Sequence, residues 1–577
     1  MQKFFFSLLV FLFILLLGSA FALDAKAQAE SRTFFIESSY DVFGRKEVEA
    51  ELAREDERLY FFVEKTWWEE RSPQEQNDLR IALFELGQEF KNHIYPVLTS
   101  TFGSEPKPGI DKDEKITILF HQMTSDAGGY FRSDDVYEKL QSPGSNEREM
   151  IYLNSSYIEK PEAKSFLAHE FTHLITINQK DLLRRVSEDV WLNEARAEYA
   201  PTLLGYDDTY EGSNLERRVR DFLSKPTDSL TEWLDRREDY GVVNMFVQYL
   251  VDHYGKDILV DSLRSSQVGS ASLNEALLDN GFQEDFSQVF KNWTIATLMN
   301  ECQLGEKYCY KNKNLSSLRI TPTSYFIPGG NSVFSAYHTT PHWAANWHRF
   351  MGGEQDFDLE FEGTKAVDFE VPYVLCDSNQ KCQVRTLVLN NDQRGAIALS
   401  DFADTYSSLT ILPFLQGKTS GFEGRDDTFL FSWTVTVQRD QGEDRGEELV
   451  RQLLARVAEL QEQVRQLQAQ LALLRGRESA SVVSCAAFET NLSFGAQGEE
   501  VRCLQEFLAS QGEEVYPEGL VTGNFFALTK QAVIRFQEKY GAEILAPIGE
   551  QRGTGYVGQM TRNKINQLLE FSTALAI

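Results

Sequence analysis

Positive charge is what this chain most lacks. Its 57 Lys and Arg are outnumbered by 87 Asp and Glu, a net charge of −30 over 577 residues. A chain of that sign repels phosphate backbones, so nucleic acid is not an expected partner. Cysteine is sparse: there are six, and none has the C-x-x-C spacing of a zinc knuckle or redox site. They fall into near pairs, Cys302 with Cys309, Cys376 with Cys382 and Cys485 with Cys503, and local pairing in an exported chain is the economical expectation. No segment after the N-terminus is apolar enough to span a bilayer. Histidine is also scarce, at eight residues, so a regular spacing among them carries information.

The N-terminus sets the compartment. Lys3 precedes an almost wholly apolar run from Phe4 to Leu17, and Ala20-Phe21-Ala22 has the small-x-small form of a cleavage site. Residues 1–22 therefore read as a signal peptide, with a mature start near Leu23. An uncleaved N-terminal membrane anchor is the alternative, because the apolar run approaches the length of a span. Either outcome makes the protein extracytoplasmic, secreted or cell-wall associated.

Within Ser165-Phe-Leu-Ala-His169-Glu170-Phe-Thr-His173-Leu, two histidines are four residues apart with a glutamate between them. Pro161 to Asn178 reads as a helix, from its opening Pro and its spaced apolar residues Phe166, Phe171, Leu174, Ile175 and Ile177. On a helix, positions i and i+4 share a face, so His169 and His173 can aim two imidazole nitrogens at one metal. Glu170 lies within reach of a water on that metal, where a carboxylate acts as general base. A buried helix with two satisfied histidines is the alternative. Farther on, Trp191-Leu-Asn-Glu194-Ala-Arg-Ala-Glu198-Tyr199 carries two carboxylates one helical turn apart. A catalytic zinc takes three protein ligands, His2Glu among the known sets, and keeps one position open. A second helix returning to the first would supply Glu194 as the third, with Glu198 behind it to orient a ligand histidine.

These two motifs together resemble the gluzincin metallopeptidases, the thermolysin-like zincins, and most nearly their hyicolysin-like branch. The resemblance implies His169, His173 and Glu194 as Zn2+ ligands, Glu170 as the base and Glu198 as a carboxylate behind the ligands. The metzincin pattern is excluded, because Leu-Ile-Thr-Ile-Asn follows His173. Strands are expected at Lys115–Phe120 and Glu149–Asn154. In this family a sheet edge pairs with extended substrate, a role open to the Gly128–Phe131 region or to the second strand. Asp111-Lys112-Asp113 reads as a turn rather than a calcium loop, since it lacks the Gly and terminal Glu of an EF-hand. From Ala200 to about Asn300 the pattern is helical, and Asp239–Gly255 is a long apolar-periodic helix. The family places a Tyr near a Gly at such a helix start to donate to the developing oxyanion. Tyr240 is the candidate, with Tyr249 and His253 behind it and core packing as the alternative for any of the chain's 22 tyrosines.

Beyond Asn300 short alternating segments appear at Phe357–Phe361, Gln383–Leu389, Thr410–Phe414 and Phe429–Val437, the pattern of a β-sandwich with Cys376–Cys382 stapling a hairpin. His338, His342 and His348 lack metal spacing and read as structural. Val450, Leu453, Val457, Leu460, Val464, Leu467, Leu471 and Leu474 then keep a heptad register, with Val at a and Leu at d. That register favours a parallel two-stranded coiled coil and a homodimer through 450–474; a single helix docked in cis is the alternative. Past Gly476, Leu492-Ser-Phe-Gly495, Val501-Arg-Cys-Leu504-Gln505, Gly523-Asn-Phe525 and Thr529-Lys-Gln-Ala532-Val533-Ile-Arg-Phe536-Gln537 resemble a small three-helix peptidoglycan-binding domain.

The expected architecture is multidomain: a signal peptide (1–22), an α+β zincin catalytic domain with a helical lobe (31–300), a β-sandwich (301–440), a linker and coiled coil (441–478) and a small three-helix C-terminal domain (484–570). The expected function is hydrolysis of protein or peptide substrates by a zinc metalloendopeptidase tethered to peptidoglycan in the cell wall. The alternatives are a non-catalytic wall-anchoring or adhesion protein and a peptidoglycan peptide-bond hydrolase.

Overall fold

The structure, a computed structural model, describes residues 31–438 and 487–574 apart from 126, 354–355, 401, 419–423, 425, 513 and 518. The expected signal peptide, the linker and coiled coil over 441–478, and Cys485 lie outside the described residues. The rest is multidomain, with helices and several sheets. Residues 31–438 belong to one compact unit and residues 487–574 to another.

The first unit opens on strands β1 (Ser31–Phe35), β2 (Glu47–Glu55), β3 (Leu59–Glu64), β4 (Ile116–His121), β5 (Gly129–Tyr130) and β6 (Met150–Asn154). They form one sheet in the order β1-β2-β3-β4-β6-β5. β3, β4 and β6 are parallel to one another, while β1, β2 and β5 join antiparallel. Every residue of β4 and β6 is buried, because parallel strands of this kind are covered on both faces and read as continuous apolar runs. Phe61, Ile118 and Ile151 face the helices; Phe62, Leu119 and Tyr152 pack on the other side with Phe34 and Val48. The short strand β5 is one edge of this sheet and β1 the other, while β6 is interior. Of the two candidate segments for pairing with extended substrate, only the Gly128–Phe131 region lies at an edge.

Helix α1 (Pro73–Glu89) begins with a reciprocal cap between Ser72 and Glu75. Helix α2 (Glu162–Ile177) carries the His-Glu-x-x-His residues, with Pro161 in the cap position and Asn178 leading into a π-helical turn. Then follow α3 (Val190–Leu203), α4 (Asn214–Ser224) and α5 (Arg237–Tyr254). α5 stops at Gly255, whose φ of +83° only glycine adopts freely. Gly241, one turn into α5, allows a close approach between α4 and α5. A Cβ there would lie 2.4 Å from the backbone nitrogen of Phe222 in α4.

Helix α6 (Phe286–Met299) connects the lobe to a β region, where Phe286 and Phe290 stack edge-on against Trp343 and Phe290 against Phe414. This shared aromatic core is why residues on both sides of Asn300 form one unit. The strands are β7 (Thr323–Ile327), β8 (Ser332–Thr340), β9 (His348–Gly352), β10 (Asp356–Gly363), β11 (Asp368–Cys376), β12 (Cys382–Leu387), β13 (Arg394–Leu399), β14 (Ser408–Ile411), β15 (Phe414–Gln416) and β16 (Phe429–Gln438). One sheet runs β13-β10-β16-β8 and the other β12-β11-β14-β9-β7, with β15 also on β11. The alternating buried residues of β10 and β16 meet those of β11 and β14 in a single core. The strand expected over Thr410–Phe414 is in fact two, β14 and β15, interrupted at Leu412-Pro413, since proline has no N–H to continue a ladder. Cys376 and Cys382 stand opposite each other in the β11–β12 hairpin and are bonded.

Cys302 is likewise bonded to Cys309, and Cys503 is in a disulfide. Such cross-links belong to an oxidising, extracytoplasmic compartment. No helix among the described residues is long and apolar enough to cross a membrane.

The second unit contains helices α7 (Glu499–Ser510), α8 (Ala527–Lys539) and α9 (Gln559–Ala574) around Val501, Leu504, Phe536 and Ile565. It holds an internal repeat. The buried Gln505 side chain donates to the Asn524 carbonyl (2.9 Å) and the Thr529 hydroxyl (2.8 Å) and accepts from the Gly523 N–H (2.8 Å). Gln537 does the same with Tyr556 (2.8 Å), Thr561 (2.9 Å) and Gly555 (2.9 Å), each partner 32 positions after its counterpart.

Candidate metal centre and cleft

One helical turn places the Nε2 atoms of His169 and His173 3.2 Å apart. α3 packs on α2 and delivers Glu194 to both: Oε2 is 3.2 Å from His169 Nε2 and Oε1 is 3.5 Å from His173 Nε2. Ligand atoms about 2.0–2.1 Å from one tetrahedral ion lie about 3.3–3.4 Å from each other, so this spacing suits a cation at the centre. Glu194 Oε2 is buried and lacks a properly directed hydrogen bond despite the nearby imidazole, as expected of an atom turned toward a cation. The Glu170 carboxylate also lies within 4.8 Å of both imidazoles. Among the described residues, His169, Glu170 and His173 are the one such close grouping of three that could hold a metal ion, and Glu194 adjoins it.

The far sides of the imidazoles are held as well. His173 Nδ1 is 3.1 Å from the Asn193 side-chain oxygen, and His169 Nδ1 is 3.4 Å from Glu198 Oε1. An acceptor on Nδ1 keeps the proton there and leaves the Nε2 lone pair facing the centre. Glu198 is in turn saturated. It receives Arg218 Nε (2.9 Å) and Nη2 (2.6 Å), Asn214 Nδ2 (3.0 Å) and Asn244 Nδ2 (3.0 Å).

The electrostatics match a site short of positive charge. Burial pushes Glu170 up to about 7, against the pull of the two histidines. Burial would depress His173, but the Glu194 carboxylate beside it raises it to about 9. Burial would likewise raise Glu194 and Glu198, yet the histidines hold the first, and Arg218 the second, well below the usual carboxylate range.

Tyr240 lines the same cleft of about 640 Å³ as His169 and Glu170. Its hydroxyl donates to Asp235 Oδ1 at 2.8 Å, and its ring lies over the Arg218 guanidinium at 4.5 Å. Asp235 also accepts from Tyr40, on the opposite wall, at 3.0 Å. Tyr249 and His253 are elsewhere: both are buried, bonded to the carbonyls of Lys307 (2.9 Å) and Cys309 (2.7 Å). Asp111 pairs with Arg148 (3.2 Å) and Asp113 accepts from Tyr60 (2.9 Å), so that turn spends its carboxylates internally. His342 pairs with Asp426 at 2.9 Å, while the tilted rings of His338 and His348 lie 4.3 Å apart in the β region.

Tyr40, Asn193, Arg218 and Asp235 were not singled out in the sequence. Asn193 alone had a local signal, its place beside Glu194; the others reach the cleft only through tertiary folding.

No protein-family profile matches the chain, and no curated protein does. Among solved structures, it is similar at 10% identity and a TM-score of 0.15 to PliG, a periplasmic inhibitor of g-type lysozyme from Aeromonas hydrophila. That match covers 20% of this chain and 96% of PliG. It is similar at 9% identity and a TM-score of 0.14 to the pre-peptidase C-terminal domain of a Bacillus anthracis collagenase, over 20% of this chain and 96% of that domain. Likenesses of that size leave the reading of the cleft to its own residues.

Proposed function

We propose that the chain is a zinc-dependent metalloendopeptidase of the gluzincin type, exported and held at the cell wall. The observation that carries this reading is the Glu194 carboxylate standing 3.2 and 3.5 Å from the two imidazoles of a His-Glu-x-x-His helix. Structural zinc sites close their fourth position with Cys or His; two histidines and one carboxylate leave it open.

His169, His173 and Glu194 would hold the ion, with Glu198 and Asn193 fixing the imidazole tautomers. Zinc bound there supplies Lewis acidity at a scissile carbonyl and an acidified water. Glu170, raised to about 7 by burial, is matched to take a proton near neutral pH and return it to the leaving amine. Tyr240 donates its hydroxyl to the developing oxyanion once it lets go of Asp235. The free edge of β5 holds the substrate backbone extended across the cleft, which gives affinity with little sequence preference.

Wall attachment rests on the likeness of residues 484–570 to peptidoglycan-binding domains, and dimerisation on the 450–474 heptads. Tethering would raise the effective concentration of wall-associated substrate without altering the chemical step.

The test is hydrolysis of casein and of purified cell walls by the full-length protein, with and without chelator, alongside metal analysis. Chelator should abolish activity and added zinc restore it. A protein that binds no zinc, or hydrolysis indifferent to chelator, overturns the reading; cleavage of walls but not casein reassigns the substrate to peptidoglycan peptides.

A further inference from the structure

The cleft beside the metal centre carries four arginines, Arg217, Arg218, Arg220 and Arg237, in a chain of net charge −30. Apart from Glu170, the proposed base, its acidic residues are bonded within the protein. Glu198 and Asp221 are bonded by Arg218, the latter at 3.2 Å, and Asp235 by Tyr40 and Tyr240. Two of the arginines are not so committed. Arg217 spends one Nη on the Asn214 side-chain oxygen (2.5 Å), and its guanidinium lies 5.4 Å from the Phe166 ring, but its Nε is buried with no hydrogen-bond partner among the described residues. The exposed Arg237 side chain has no ion pair or hydrogen bond among them.

Arg217 is also placed rigidly with respect to the centre. Asn214, which receives it, donates to Glu198 at 3.0 Å, and Phe166, which it flanks, is one turn before His169 on α2. Phe166 in turn fills the space over Gly128, where a Cβ would meet its ring at 2.5 Å. The arginine therefore stands at a set position beside the β5 edge where extended substrate would run.

We propose that Arg217, with Arg237, forms a carboxylate-binding subsite that selects substrates bearing an acidic side chain or a free C-terminal carboxylate next to the cleaved bond. The inference deepens the peptidase reading and rests on it for the word substrate. Guanidinium matches carboxylate by paired, charge-assisted hydrogen bonds, and Arg217, bonded through one Nη to Asn214 and to no carboxylate, keeps its charge for such a ligand. The surrounding negative charge opposes an acidic ligand at long range, so the preference belongs to these side chains alone.

The experiment is calorimetric binding to the full-length Glu170→Gln protein, which does not depend on turnover. Three probes are a capped, amidated peptide with one central Glu, its Gln counterpart, and an all-neutral peptide with a free C-terminal carboxylate. The Glu peptide should bind about tenfold or more tighter than the Gln peptide. Arg217→Gln should bring the ratio close to one, and Arg237→Gln, at an exposed position that leaves folding intact, should reduce it. Tight binding of the free-carboxylate peptide alone, lost in the same variants, assigns the subsite to chain termini. Equal binding of all three, a ratio that survives both substitutions, or no binding of any probe overturns the proposal. Intact discrimination without hydrolysis by the unsubstituted protein would sink the peptidase reading and leave this one standing.

Discussion

Asp235 and Tyr40 are 195 positions apart in the chain, yet their side chains are bonded at 3.0 Å across the mouth of the cleft. The same carboxylate holds Tyr240, so the proposed oxyanion donor is parked on an acid that belongs to neither the metal nor the base. If Tyr240 acts as proposed, Tyr240→Phe should lower kcat by about 10²-fold or more with zinc content and KM little changed. An unchanged kcat would remove Tyr240 from the chemistry and leave its ring as packing.

Glu170→Gln separates the base from the metal. Zinc stoichiometry should persist while turnover falls by about 10²-fold or more. His173→Ala should lose metal and activity together. If Glu170→Gln strips the zinc instead, Glu170 is a ligand rather than the base.

Arg218 adjoins the candidate centre at one remove, through its two bonds to Glu198. Arg218→Leu leaves that buried carboxylate short of its cation, and zinc affinity should drop by about 10–100-fold. Competition with a chromophoric chelator measures this directly, and an affinity equal to that of the unsubstituted protein would contradict the role given to Glu198.

Three histidines should make the first unit acid-labile. Burial depresses His121 and His253 to about 4 and His348 to about 3. Their unfolded pKa is near 6.5, so below it the unfolded chain binds more protons than the folded one. Stability from these groups is complete above about pH 6.5 and is lost as pH falls toward 4. Thermal midpoints recorded from pH 7 to 4 should fall, and His348→Phe should flatten that slope even if it shifts the midpoint at pH 7. An unaltered slope would mean that His348 is not the proton acceptor.

Gly241→Ala tests how α4 and α5 meet. The added Cβ would stand 2.4 Å from a backbone nitrogen that no rotamer change can move. A loss of about 1–3 kcal/mol is expected, visible in denaturant unfolding, with impaired activity because α4 bears Arg217 and Arg218 and α5 bears Tyr240. Full stability would show that the two helices can separate freely.

Much of the centre was legible in the sequence because it is built on helical spacing. His169 with His173, and Glu194 with Glu198, are each four apart, and that local periodicity survives any tertiary arrangement. The helix over 161–178 was legible for the same reason, ending within a residue of α2. Tyr40, Asp235 and Arg218 were not, because nothing near them in the chain distinguishes them from surface residues. The strand break at Pro413 was written in the chain but hidden by the apolar residues around it. In the β region, β8 leaves most of its residues half-buried or exposed, so it lacks the strong alternation that makes β10 recognisable.

The paired glutamines of the C-terminal unit bear on how it acquires structure. α8 supplies Thr529, the acceptor for Gln505, and also Gln537, the donor to Thr561. Each half of the repeat thus borrows this one helix, and neither half retains its buried amide network without it. The two networks nevertheless divide within the helix: Thr529 near its start closes the first and Gln537 near its end opens the second, so a cut between them would leave each buried amide with its own partners. What couples the halves is apolar contact, Phe507 of α7 meeting Phe536 of α8 edge-on at 5.5 Å, so cutting α8 would divide the core while leaving the amides paired.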